Sequence, residues 1–162
     1  MSPTKFSIRP GVAEDISAVH HLICELAEFE RAPHEVTNTP ERMLADGFEE
    51  NPVYKMWVAE IDQTIVAMAI CYTRYSTWKG AMLYLEDIVV NAHYRNRGIG
   101  KALFETCMRH SLDGNYAGMI WQVLDWNTDA IRFYKRFNAE LDNGWINGRL
   151  MRSEMESYFQ PK

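Results

Sequence analysis

A chain of 162 residues with 47% hydrophobic and 24% charged residues fits one globular domain with a real core and excludes a disordered or fibrous protein. The net charge of −5 excludes a general nucleic-acid binder, whose phosphate contacts need a broad basic surface. No apolar run reaches membrane-spanning length, and Cys24, Cys71 and Cys107 are odd in number without paired or metal-ligand spacing, so a reducing, cytoplasmic setting without a metal is expected.

"KFSIRP" alternates and stops at Pro10, the pattern of a short strand. From Glu14 to Glu30 the apolar positions Ile16, Val19, Leu22, Ile23, Leu26 and Ala27 recur at three and four, which predicts a helix with acids on its other face. Thr39 followed by Pro40 predicts an N-capped short helix through about Phe48. The period then changes. "YKMWVAEID", "TIVAMAICYTRY" and "AMLYLEDIVV" are rich in β-branched and aromatic residues and predict three antiparallel strands. Ala102, Leu103, Thr106, Cys107 and His110 set a helix that stops near Gly114. "AGMIWQVLD" predicts a buried strand, Asn127 to Phe137 a helix capped by Asn127, and residues 139–141 and 145–154 a final pair of strands. No repeat, linker or low-complexity tract interrupts this order. The fold class is therefore α/β, a mixed, mostly antiparallel sheet with its βα units in the second half, and ligands are expected at the ends of those later strands.

Charge is unevenly placed. Glu14 to Asp62 holds twelve acids against Arg31, Arg42 and Lys55, whereas Arg95 to Arg109 carries Arg95, Arg97, Lys101 and Arg109 against Glu105 alone. Solvated helix faces would read the same way; so would one end that attracts cations and another that attracts anions.

"RNRGIGKAL" sits between a strand and a helix. A dinucleotide fingerprint beginning at Gly98 and Gly100 needs a third glycine where Leu103 stands, and a Walker A loop needs Gly at Arg95 and Ser or Thr at Ala102. Both fail. The remaining Arg-x-x-Gly-x-Gly turn can converge its N–H groups on a diphosphate at the positive end of the helix, unless it is only a glycine-bearing loop with surface arginines.

"VVNAHYRNRGIGKAL" resembles motif A of the GCN5-related N-acetyltransferases. "YLEDIVV", "YSTWKG", "VLDWN", "FYKRF" and "ELAEFE" extend the resemblance over nearly the whole chain, to the diamine/polyamine N-acetyltransferase branch and most of all to its thialysine N-epsilon-acetyltransferase relatives. The resemblance implies a single N-acetyltransferase domain over residues 1–162, about seven strands flanked by four helices, acetyl-coenzyme A as cosubstrate, and a cytoplasmic homodimer that binds neither nucleic acid nor membrane. The expected reaction is acetyl transfer to a primary amine of a diamine, polyamine or thialysine-like amino acid by direct attack in a ternary complex. A protein-lysine or peptide acetyltransferase and a non-catalytic coenzyme-binding module are the alternatives.

The resemblance also assigns residues. Arg95, Asn96, Arg97, Gly98, Ile99, Gly100 and Lys101 would hold the diphosphate, the backbone of Ile88, Val89 and Val90 the pantetheine arm, and Asn127, Ala130 and Tyr134 further parts of the coenzyme. An alkylammonium, with a pKa of about 10.4, must lose a proton before it attacks. Glu86 is the expected base, with Asp87 its neighbour and competitor. Tyr134 is the expected proton donor to the leaving thiolate. Phe29, Glu30, Trp78, Glu86 and Asn143 are the expected acceptor contacts. Two departures from the polyamine pattern stand out: Ser76 replaces an acid before Trp78, and Asn138 replaces a glycine after the tyrosine helix.

Overall fold

The computed structural model describes residues 5–160. The chain forms two compact units, Met1–Gln122 and Val123–Lys162.

The first unit is built on five strands in the order β1-β2-β3-β4-β5: β1 (Ser7–Pro10), β2 (Lys55–Ile61), β3 (Thr64–Ser76), β4 (Gly80–Val90) and β5 (Met119–Ile120). Neighbours are antiparallel except β4 and β5, which run parallel. The β2–β3 hairpin closes at Asp62 and Gln63, both at positive φ, the backbone that a two-residue hairpin turn demands. Three helices belong to this unit: α1 (Ile16–Phe29), α2 (Pro40–Phe48) and α3 (Ile99–Asp113). Thr39 caps α2 as its sequence predicts, its Oγ1 accepting from the Arg42 N–H at 3.2 Å.

Strand alternation divides the core. Met56 and Val58 of β2, Met68 and Ile70 of β3 and Val89 of β4 pack with Ile16, Val19 and Leu22 of α1 and Met43 of α2. Intervening residues face α3: Cys71 Sγ lies 3.7 Å from Cys107 Sγ, and the Trp57 ring centre lies 4.8 Å from that of His110. Burial, and then Lys55, push the His110 imidazole down from its usual value, so it packs neutral, and its Nε2 is enclosed without a hydrogen-bond partner. Arg9 ties β1 to the rest, donating to both oxygens of buried Asp15 at 2.7 and 2.9 Å and to Glu60 at 3.0 Å.

One irregularity positions the chemistry described below. Cys71 of β3 pairs with Leu85 of β4, but Ile70 pairs with Asp87, which leaves Glu86 as an unpaired extra residue in a β-bulge. In a regular strand Leu85 and Asp87 would share a face. Because of the bulge, Leu85 goes with Cys71 toward α3 and Asp87 goes with Ile70 toward α1.

The second unit holds α4 (Thr128–Lys135) and α5 (Arg152–Tyr158). Asn127 caps α4, its Oδ1 accepting from the Ala130 N–H at 3.2 Å, and Asn138 closes the following turn at φ 58°, the left-handed backbone for which Asn is suited.

The described residues therefore contain five strands and five α-helices, not seven and four. The strand expected in "AGMIWQVLD" is cut short, with bonds to β4 from Ala117 and Gly118 and a paired strand at Met119 and Ile120. No strand forms at residues 139–141 or 145–154. Asp142, Asn143, Gly144, Asn147 and Gly148 are poor strand formers, and Asp142 Oδ1 takes the Gly144 N–H at 2.8 Å in a local turn. Glu154 accepts from the Met151 N–H, which starts a helix where a strand was expected.

Candidate active site

The turn after β4 leads into α3 through Asn91, whose Oδ1 accepts from the His93 N–H and whose Nδ2 donates to Glu25 of α1 at 2.9 Å. Gly98 stands at the N-cap of α3 with φ 82°, a left-handed conformation in which a β-carbon would be strained. No side chain caps this helix, so the N–H groups of its first turn point out of the fold, at the positive end of a fifteen-residue dipole. Such a start can hold a diphosphate through main-chain donors.

The cations of the turn each have partners within the chain. Arg97 donates to the His93 carbonyl at 3.0 Å and lies over the Tyr94 ring, and Lys101 sits 3.6 Å from Glu105 on the exposed side of the helix. Arg95 Nε donates to the Val90 carbonyl at 3.0 Å, and its guanidinium carbon lies 5.7 Å from the ring centre of Phe29. Amides are thus better placed for an anion than these side chains. A Gly98→Ala variant is expected to lose about tenfold or more in affinity for a diphosphate ligand, with a modest drop in Tm from roughly 1 kcal/mol of backbone strain. Calorimetry and thermal melting of the two proteins check it.

β4 supplies the second element. The Asn91 N–H bonds to the Val66 carbonyl of β3, so in the antiparallel alternation Val89 faces β3 and the main chains of Ile88 and Val90 face the other edge. β5 reaches β4 only at Leu83 and Tyr84. Among the described strands none covers that edge beyond Leu85. Ile88 and Val90 therefore offer extended N–H and C=O groups to an amide-bearing ligand, whereas Val89, expected to join them, is spent on β3 and on the core.

Carboxylates gather on the α1 side. Asp87 is pushed up to about 7, first by burial and then by the charges of Glu86 and Glu30; burial raises Glu30 as well. The bulge brings this about, since it turns Asp87 toward the end of α1, where Phe29 and Glu30 lie. Tyr72 and Tyr84 were not anticipated. Their rings stack at 5.0 Å across β3 and β4, Arg74 lies over Tyr84, and Tyr72 is pushed up to about 12 by burial and by Glu86, to which its hydroxyl is hydrogen-bonded. The signal for both was available, because Tyr72 and Arg74 share strand parity, as do Tyr84 and Glu86.

Trp78 is placed elsewhere. It occupies the tip of the β3–β4 hairpin, 85% exposed, and seven strand residues, about 23 Å, separate Gly80 from Asp87. In the second unit, Tyr134 lies on α4 about two turns after the Asn127 cap and meets Phe133 edge-on, and Asn143 lies in the exposed turn after Asp142. Among the described residues no helix is long and apolar enough to cross a membrane.

An arrangement of free helix-start amides, an open strand edge and a carboxylate titrating near neutrality can hold a long anionic ligand and take a proton from a second, cationic one. The Acetyltransferase (GNAT) family matches residues 18–139. Thialysine N-epsilon-acetyltransferase of Mus musculus is 36% identical over 153 residues, covering 88% of this chain and 90% of that protein. Spermidine/spermine N(1)-acetyltransferase-like protein 1 of Homo sapiens is 30% identical over 160 residues, 93% of this chain but 23% of that much longer protein. Among solved structures, a possible acetyltransferase from Clostridium difficile 630 superposes with a TM-score of 0.77 at 23% identity, over 91% of this chain and 99% of that one.

Proposed function

Since the chain belongs to the GNAT family and is an acetyl-coenzyme A-dependent N-acetyltransferase, we propose that it acetylates a primary amine of a small molecule, a diamine, polyamine or thialysine-like amino acid, by direct attack within a ternary complex. The observation that carries this reading is the juxtaposition of the acids Glu30, Glu86 and Asp87 with the outward-facing main chain of Ile88 and Val90.

Each step has residues to perform it. The amides of Arg95 to Lys101 hold the coenzyme diphosphate, and the edge of β4 at Ile88 and Val90 pairs with the pantetheine arm. When bound, the coenzyme supplies an activated thioester. One outward N–H of that edge polarises the acetyl carbonyl and stabilises the charge that gathers on its oxygen. Glu30, Glu86 and Asp87 draw the aminium in, with the Tyr72–Tyr84 stack and Phe29 as apolar and π surface for its carbon chain.

A proton must leave the ammonium before attack. Glu86 was the expected acceptor. Asp87 suits the task better, because burial between two other carboxylates holds it near pH 7, where proton capture and release are balanced. Glu86, held by Tyr72, supplies the charge that keeps Asp87 there. Tyr134 on α4 carries the proton for the departing sulfur. Asn127 and Ala130 serve as N-cap and first-turn contacts to the coenzyme, and Asn143 as an outer acceptor contact. The working unit is one N-acetyltransferase domain over residues 1–162, paired as a cytoplasmic homodimer in which the exposed Trp78 is available to an interface.

The test is release of free thiol from acetyl-coenzyme A by pure protein against a panel containing thialysine, 1,3-diaminopropane, spermidine and lysine-bearing peptides. Turnover on the small amines is expected. Turnover confined to peptides, or none on any amine, would refute the acceptor assignment.

A further inference from the structure

Arg95 stands in the turn where its charge and spacing assign it to the diphosphate, yet its exposed side chain is engaged by groups of this chain. Nε donates to the Val90 carbonyl at 3.0 Å, and the guanidinium lies 5.7 Å from the centre of the Phe29 ring. Each of these partners has a second use. Val90 presents its carbonyl on the open edge of β4, and Phe29 ends the helix whose next residue, Glu30, belongs to the acidic cluster. A single planar cation therefore covers one group from the coenzyme side of the site and one from the amine side.

We propose that Arg95 is a positioning residue that occupies one face of the Phe29 ring until the coenzyme arm takes the Val90 carbonyl. The inference rests on the reading that the β4 edge receives the pantetheine arm. With its carbonyl partner gained by a pantetheine amide, Arg95 loses the bond that orients it, and the guanidinium leaves Phe29. An aminium and a guanidinium cannot occupy one ring face together, since both seek the same negative quadrupole and repel each other. Phe29 is already part-exposed, and release of Arg95 frees the ring face beside Glu30 for the acceptor. Coenzyme and amine thereby favour each other's binding, and the coupling comes from contacts that differ between two arrangements of one side chain.

This makes a prediction opposite in sign to a phosphate-binding role. If the guanidinium gripped phosphate, its removal would weaken coenzyme binding. If it competes for Val90, removal leaves coenzyme affinity unchanged or tighter. Removal of one hydrogen bond and one exposed cation–π contact sets the coupling at about tenfold.

The experiment is calorimetry on the full chain with thialysine, in the absence and presence of saturating coenzyme A, for the wild type, Arg95→Met and Phe29→Leu. Wild-type protein is expected to bind thialysine about tenfold more tightly with coenzyme A. Arg95→Met should bind it equally in both states while keeping or improving its coenzyme A affinity. Phe29→Leu, which leaves the Val90 contact intact, should lose most of the coupling. A readout independent of the amine is the Arg95 Nε–H resonance, which is bonded and ring-shielded in the free protein and should move to the position of exposed arginines on addition of coenzyme A. A tenfold loss of coenzyme A affinity in Arg95→Met, an unmoved Nε–H, or thialysine binding that ignores coenzyme A in the wild type would each overturn the inference alone. Wild-type protein that takes up no coenzyme A would overturn the reading of the β4 edge as well.

Discussion

Tyr134→Phe is expected to lower kcat by about 10²–10⁴-fold while changing coenzyme A affinity less than about threefold. The substitution removes the hydroxyl while keeping the ring that meets Phe133 edge-on and the Asn127 cap of α4. Without a proton from the phenol, the sulfur must depart as a bare thiolate with a pKa near 8.5, and the tetrahedral adduct reverts more often than it collapses forward. Stopped-flow thiol release at saturating amine and coenzyme gives the number. Turnover within a factor of three of the wild type would remove Tyr134 from the mechanism.

Asp87→Asn is expected to erase the alkaline-rising limb of kcat/KM and to lower the plateau by about 10²–10⁴-fold. Asp87 is pushed up to about 7, so its base form accumulates as pH rises through that value and activity rises with it. Glu86→Gln should behave differently. It removes a like charge next to Asp87, so the limb should move to lower pH while much of the plateau survives. An unmoved limb in Glu86→Gln together with a normal one in Asp87→Asn would mean that solvent, not either carboxylate, takes the proton. Stability supplies an independent check with a definite sign. The folded-state value of Asp87 lies above its unfolded value of about 3.9, so the fold favours the protonated form, and stability is lost as pH rises from that lower value through about 7. Asp87→Asn, which cannot ionise, should melt higher than the wild type at pH 8 and close to it at pH 4.

Much of this fold was legible because its signals are local. The three-and-four spacing of Ile16 to Ala27, the Thr39 and Asn127 caps and the β-branched runs of β2 to β4 each declare their element within a few residues. The glycine turn was legible for the same reason, since Gly98 at φ 82° is a conformation that residue type announces. What the sequence hid depends on pairing. "LEDI" alternates like any strand, and only the opposition of Cys71 to Leu85 and Ile70 to Asp87 reveals the surplus Glu86. Without the bulge in view, Glu86 and Asp87 look like ordinary opposite faces, and the coupling of Asp87 to Glu30 is invisible. The partners of Arg95, Arg97 and Lys101 were hidden by another route: charge and spacing say where a cation stands, not which carbonyl, ring or carboxylate lies beside it. The strands expected at residues 139–154 failed because Trp145, Ile146, Leu150 and Met151 supplied hydrophobicity while their Asn, Gly and Asp neighbours withheld strand propensity.

Glu86 is also a residue that the sheet does not need. A chain lacking it would run from Leu85 to Asp87 in unbroken alternation, each side chain already on its proper face, and every rung from Cys71 to Ala67 would still find its opposite number. Such a shortened protein would keep its register and lose only the surplus carboxylate, so deleting Glu86 would separate what the sheet requires from what the acidic cluster requires.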